Sequence, residues 1–386
     1  MKKYIFFFLF GLSSGISFAQ SGPGKSSDEC LNSYSHFLND QHVPAKEYIF
    51  DLFEKYNIIV LCERDHRDMS QYDLFFDIVS DERFQGGNML MEVGASNVYD
   101  SLDYFLHHEF PSEEEAEARL LYILHNNDHY PLWEKTNYPT FLKKLYNHNR
   151  TLPREKQVNV FPVDVPFDWN EIDSKREHEE FLARYARFPE RDSIMGTQMV
   201  ERISSVKKEA GNRQKFLILM NDYHALFNLK AAAAAYVKRA FPEETVNVLV
   251  SGPVWNKKRY LIDEGCWDAA FRMTDKENLG FDLANSPFGE TSGVHYHSRF
   301  RENIPMKNIF HGYVFYLPVE DHLLSQGYPN MVSGDFKKEM RRRNRILLGR
   351  FKAIFVGAQK NYYNRVKTWK YGNLDELIEE RDRWIE

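Results

Sequence analysis

A series of short apolar runs, largely uninterrupted by polar residues and separated by longer stretches of helical spacing, restricts this chain more than any other feature. Asn57 to Cys62 (NIIVLC), Asn88 to Val93 (NMLMEV), Gln157 to Val163 (QVNVFPV), Lys215 to Met220 (KFLILM), Thr245 to Val250 (TVNVLV) and Tyr313 to Leu317 (YVFYL) read as strands buried on both faces. Between them, Met69 to Val79 sets Tyr72, Phe75, Phe76 and Val79 at helical intervals, and Ser112 to Glu115 has the spacing of a capping box. Further helices are expected over Tyr138 to His148, twice between Glu171 and Lys208, over Ala225 to Ala240, and over the Lys- and Arg-rich Phe336 to Phe355. This alternation predicts an α/β fold: a mostly parallel central sheet covered by helices on both faces. Ligands of such sheets bind beyond the carboxyl ends of the strands, where loops converge.

Residues 1–19 have the form of a signal peptide: Lys2 and Lys3, an apolar stretch from Tyr4 to Leu12, then Ser17-Phe18-Ala19 before Gln20. The chain is therefore expected to be exported, to the periplasm or out of the cell. Residues 20–45 read as a flexible leader, and 46–386 as a single α/β catalytic-type domain with helical insertions and C-terminal helices. Gly24-Lys25-Ser26 is not a phosphate-binding loop, because Ala19 stands where its first glycine belongs and no strand precedes it. No later apolar run approaches the roughly 18 residues that a membrane span needs. The 50 basic and 56 acidic residues leave a formal charge of −6, which lacks the basic excess of a general nucleic-acid binder. Cys30, Cys62 and Cys266 form no CxxC pair and permit at most one internal disulfide, so packing must carry the fold.

The expected strand ends concentrate polar chemistry. The first runs into Glu63-Arg64-Asp65-His66-Arg67-Asp68; the second holds Glu92 between Met91 and Val93. The third ends at Asp164, and the fourth leads into Asn221-Asp222-Tyr223-His224. A carboxylate inside an apolar strand end is costly to bury alone, so acids and imidazoles delivered to one sheet edge read as an active site. Local roles compete with that reading: Asp68 as the N-cap of the helix at Met69, Glu92 paired to an arginine, Asp164 in a turn, His224 in the core. His295-Tyr296-His297 sets two imidazoles on one side of a strand and suits a surface or pocket rim, and Lys337 to Lys352 reads as a solvated basic face with its aliphatic stems packed inward. With no G-x-S-x-G elbow and no HExxH, serine, cysteine or zincin chemistry has no positive support.

Cys62-Glu63-Arg64-Asp65-His66 resembles the Gly-Glu-x-x-His signature of the erythromycin esterase-like superfamily, which also contains haem-uptake lipoproteins and, more distantly, the Tiki metalloproteases. Met91-Glu92-Val93 looks like that family's second-strand glutamate, Arg191-Asp192-Ser193-Ile194-Met195 resembles its Arg-Asp-x-x-Met-Ala segment, and Asp222-Tyr223-His224 falls at its Asn-x-His. Phe281-Asp282-Leu283 and Gly312-Tyr313-Val314-Phe315 are compatible with it. Cys62 replaces the usual glycine, Gly196 the usual alanine, and Met220-Asn221-Asp222 the usual Gly-His-Asn. The resemblance implies an esterase-like hydrolase, without cofactor, in which a His/Glu pair activates water against an ester, lactone or similar carbonyl of a small-molecule substrate. Glu63, His66, Glu92, Arg191 and His224 are the expected catalytic residues, and Arg67, Asp164 and Asp222 the substrate-binding ones. His66 would take a proton from water, Arg191 with Arg67 would stabilise the oxyanion, and His224 would protonate the leaving group. Two other readings use the same residues: a peptidase with a divalent metal on Glu63, His66, Glu92 and His224, and a non-enzymatic haem or ligand binder. The oligomeric state is not legible in the sequence.

Overall fold

The computed structural model describes residues 27–386 apart from 211–213, 257, 297–303 and 349–360. The expected signal peptide and the first part of the expected leader lie outside the described residues. The main sheet is built from β1 (Ile58–Glu63), β2 (Asn88–Ala95), β3 (Asn159–Asp164), β4 (Phe216–Asn221) and β5 (Thr245–Val250). After a short antiparallel pair, β6 (Val254–Asn256) and β7 (Lys258–Tyr260), it is completed by β8 (Asn278–Asp282) and β9 (Gly312–Tyr316). The order is β3-β2-β4-β1-β5-β9-β8, parallel throughout except where β8 runs antiparallel to β9. A small separate pair, β10 (Leu324–Gln326) and β11 (Lys367–Trp369), lies near the chain's end.

The apolar runs are continuous because both faces of each strand are covered. In β1, Ile59 and Leu61 enter one core with the helices Ala45–Phe53, Met69–Val79, Tyr99–His107, Glu113–His125 and Asn137–Asn149. Ile58, Val60 and Cys62 enter the other, with the helices Ser27–Asn39, Glu190–Ala210, Ala233–Ala240 and Cys266–Met273. The same alternation divides Met89 and Met91 from Leu90, and Leu217 and Leu219 from Phe216, Ile218 and Met220. Every second residue faces a different apolar layer, and no polar face is left. Among the described residues, no helix is long and apolar enough to cross a membrane.

Four expectations need correction. Residues 27–39 of the expected leader form a helix with Leu31, Tyr34 and Leu38 buried, since its apolar residues recur at helical spacing against the sheet. The Ala-rich helix begins at Ala233 rather than Ala225. Its first turn is capped from outside, by the Asp192 carboxylate accepting from Ala233 N at 3.0 Å, and the residues before it form the loop that carries His224. Gly293–Tyr296 is a helical turn, not a strand, and His297 lies outside the described residues. The basic helix, described from Phe336 to Leu348, is solvated on only part of its surface: Arg343 is buried and donates to the carbonyls of His125 and Pro131 at 2.7 and 3.0 Å.

Candidate functional site

Parallel pairing places the polar strand ends at one edge. Glu63 at the end of β1 stands in register with Asn221 at the end of β4. β2 bulges against β3, pairing Met91 with Pro162 and Ala95 with Asp164, so that Glu92 lies in the irregular segment; such bulges re-aim side chains. The bulge requires Gly94. Its φ is +121°, and a Cβ there would lie 2.7 Å from the Pro162 Cβ and 2.9 Å from Asn127 Oδ1.

The two imidazoles are mounted alike. His66 Nδ1 donates to Glu63 Oε2 at 2.7 Å, and His224 Nδ1 donates to Asp192 Oδ1 at 2.8 Å. Both Nε2 atoms then face one carboxylate oxygen, Glu92 Oε1, at 3.6 Å from His66 and 3.3 Å from His224. Arg191 Nη2 donates to that same oxygen at 3.1 Å, while Asn221 N donates to Glu92 Oε2 at 2.8 Å. Arg191 is itself clamped by Asp164, through Nε to Oδ1 at 2.8 Å and Nη2 to Oδ2 at 2.9 Å. Glu63 is supported from the helix Met69–Val79: Gln71 Nε2 donates to its Oε1 at 3.2 Å, and the Tyr72 hydroxyl bonds the same carboxylate. That helix starts where Asp68, as the sequence reading allowed, accepts from Ser70 N and Gln71 N.

Burial makes these pairings strong. Burial opposes charge on the His66 imidazole, but Glu63 and Glu92 outweigh it and hold the ring well above its ordinary 6.5. His224 is raised in the same way, against burial, by Glu92 and Asp192. Burial likewise works against ionisation of Glu92, yet His224, His66 and Arg191 hold it well below 4.5. The surroundings of the cluster thus favour charge on the two rings and on Glu92 alike.

An open cavity of about 820 Å³ lies over this edge, and its lining includes Glu63, His66, Arg67, Asp222, Trp255 and Arg259. His66 keeps 25% of its side chain exposed there, with its ring edge-on to Trp133 at 5.6 Å. Glu92, Asp164, Arg191 and His224 are not part of the lining and form a layer behind it. All eight expected site residues therefore gather at one edge, but three expected roles change: His224, outside the lining, does not meet a leaving group and so does not protonate one. Arg191 spends Nε and Nη2 on Asp164 and Glu92 and has Nη1 against His224 Nε2 at 3.2 Å, which makes it an anchor rather than an oxyanion donor. Asp164, clamped to Arg191 and accepting from Val165 N at 2.8 Å, positions that anchor instead of binding substrate. Asp222 does face the cavity, with its Oδ2 accepting from the Tyr296 hydroxyl at 3.0 Å, and Arg67 does so beside its partner Asp65.

Sequence reasoning missed Asp192, Gln71 and Tyr296 as members of the site. Asp192 was visible in the Arg-Asp segment: one residue after Arg191 on a helix, it points about 100° away and so reaches a different partner. Gly196, four residues on, lets the helix Glu190–Ala210 approach Tyr236, whose Cγ would lie 2.6 Å from an added Cβ; this is the structural reason alanine is absent. The four residues expected as metal ligands do not fit an ion, because the oxygen on which both imidazoles converge already accepts from Arg191. Among the described residues, the three ligand groups drawn within 4.8 Å of one another are instead Cys30, Asp263 and Cys266.

No protein-family model and no curated protein matches the chain. Solved structures similar to it include a Bacillus cereus protein, 12% identical over 74% of this chain and 96% of that one with a TM-score of 0.42. Another is a protein described as a succinoglycan biosynthesis protein, 8% identical over 76% of this chain and 98% of that one with a TM-score of 0.46. Likenesses of this size say nothing about activity.

Proposed function

We propose that the chain is a hydrolase of the erythromycin esterase-like type, which uses the Glu63–His66 pair to activate water against an ester, lactone or similar carbonyl. The observation that carries this reading is the mounting of His66: Nδ1 is fixed on a buried carboxylate, while a quarter of the side chain stays exposed in the lining of an open cavity. Neutral His66 takes a proton from water at Nε2 as the oxygen attacks the carbonyl carbon, and Glu63 stabilises the imidazolium that forms. The same ring then returns the proton to the leaving alkoxide. Arg67 also gives Nε and Nη2 to a carboxylate, that of Asp65, but unlike Arg191 it lines the cavity, and it is the cation assigned to the oxyanion, a contribution on the order of 3 kcal/mol in well-studied cases. Glu92, Arg191 and His224 hold the water-facing ring and its charge from behind, as positioning residues.

The elevated His66 value gives this chemistry a direction in pH. The base form grows as pH rises through that value, so turnover climbs on the alkaline side of 6.5. The test is a panel of small esters and lactones assayed with the purified mature protein and with His66→Ala. Hydrolysis by the wild type that falls at least ~10²-fold in the variant supports the reading. Equal turnover by both, or no turnover of any member of the panel, contradicts it.

A further inference from the structure

The helix Ser27–Asn39 is seated on the helix Cys266–Met273 by a buried polar and aromatic joint. The Tyr34 hydroxyl donates to Asp263 Oδ2 at 2.9 Å and shares a hydrogen bond with Thr291 Oγ1 at 2.7 Å, to which Trp267 Nε1 also donates at 3.2 Å. The Tyr34 ring packs on Phe288 and edge-on to Trp267, with centroids 4.5 and 6.4 Å away. Cys30 lies one helical turn before Tyr34, on the same face. On the other side, Asp263, Glu264 and Gly265 all take left-handed φ values of 53°, 53° and 87°, and this reversal brings the chain into the helix at Cys266. The sulfurs of Cys30 and Cys266 and a carboxylate oxygen of Asp263 lie within 4.8 Å of one another.

We propose that Cys30 and Cys266 are joined by a disulfide in the mature protein, fastening its N-terminal helix to the sheet's second apolar layer. The joint around Tyr34 keeps the two sulfurs within 4.8 Å of each other, near enough for the proposed bond of about 2.05 Å to form by local adjustment. The pair does not reward reduction. The Cys30 contact, burial and the Asp263 carboxylate all push the Cys266 thiol upward, so the reduced form lacks the stabilised thiolate that makes a disulfide easy to open.

The oxidant is a second disulfide, carried by oxidised glutathione or a thiol–disulfide oxidoreductase. The thiolate of Cys30, the more exposed of the two, attacks one of its sulfurs and releases one thiol. Cys266 then attacks the Cys30 sulfur, forms the Cys30–Cys266 bond and expels the second thiol. Two protein thiols are oxidised and one disulfide is reduced to two thiols. Cys62, buried at the end of β1, takes no part.

The test equilibrates the full mature chain with a glutathione redox buffer, then denatures, alkylates and maps it without reduction. The expected result is a cross-linked Cys30–Cys266 peptide, a mass about 2 Da below the reduced chain, and alkylation of Cys62 alone. Cys30→Ser should melt roughly 5 °C or more below the wild type in oxidising buffer and level with it under reducing conditions. Alkylation of all three cysteines after oxidative equilibration would overturn the proposal. So would one zinc ion per chain held by the two unoxidised thiols.

Discussion

His66 and His224 share one construction and differ in where it stands. Each ring donates Nδ1 to a buried carboxylate and turns Nε2 toward Glu92 Oε1. His66 follows β1 in a loop that lines the cavity and keeps 25% of its side chain exposed, whereas His224, at 12%, is not part of the lining and has Arg191 against its Nε2. Equal hydrogen bonding therefore does not mean equal work. The exposed ring meets substrate, while the buried one, together with Arg191, fixes the carboxylate that the exposed ring faces.

Substitutions should separate the two arms. His66→Ala is expected to lower kcat on a hydrolysed ester by about 10³-fold, while His224→Ala lowers it by only about tenfold and reduces thermal stability as well. Parallel losses of kcat with no difference in stability would break the distinction. Arg191→Met should cost about 3–5 kcal/mol in urea unfolding, because Glu92 and Asp164 would remain buried without their cation. Arg67→Met should cost no more than about 1 kcal/mol, because Arg67 is partly exposed and the buried Asp65 keeps its second cation, Arg259. Gly94→Ala should cost about 1–3 kcal/mol and reduce activity, through strain at the bulge that aims Glu92. Gly334→Ala, at φ +48° with open space around it, should cost about 1 kcal/mol and leave activity unchanged.

The smallest effect is in pH. Folding raises both imidazoles above 6.5, so their contribution to stability is complete below that value and is lost as pH rises through the elevated folded values. Folding lowers Glu92 below 4.5, so its contribution is complete above 4.5 and is lost as pH falls through the depressed value. Melting temperature should therefore decline on both sides of the interval between 4.5 and 6.5. On the alkaline side both His66→Gln and His224→Gln should flatten the decline, because each ring is raised on folding.

The sheet is legible because its strands are apolar on both faces, and the strand ends at Glu63, Asp164 and Asn221 fall within a residue of those expected. The edge strand β8 was harder to recognise: Asn278–Asp282 is short and contains Gly280, whose missing Cβ makes room for the Tyr48 ring. The leading helix is hard to read from sequence because it follows a run of small polar residues and its apolar stripe of Leu31, Tyr34 and Leu38 is only one residue wide. Within the site, residue types foretold which side chains would meet but not which would face solvent. Arg191 and His224 look as reactive as Arg67 and His66 in one dimension. Only the packing of the helix Glu190–Ala210 places the first two behind the cavity wall.

Convergence of both rings on Glu92 is most directly tested by nitrogen NMR titration of histidine-labelled protein, comparing the wild type with three variants. Glu92→Gln should lower the His66 and His224 titration midpoints together, Glu63→Gln only that of His66, and Asp192→Asn only that of His224. If Glu92→Gln moves neither midpoint, or just one, the two imidazoles do not share that carboxylate.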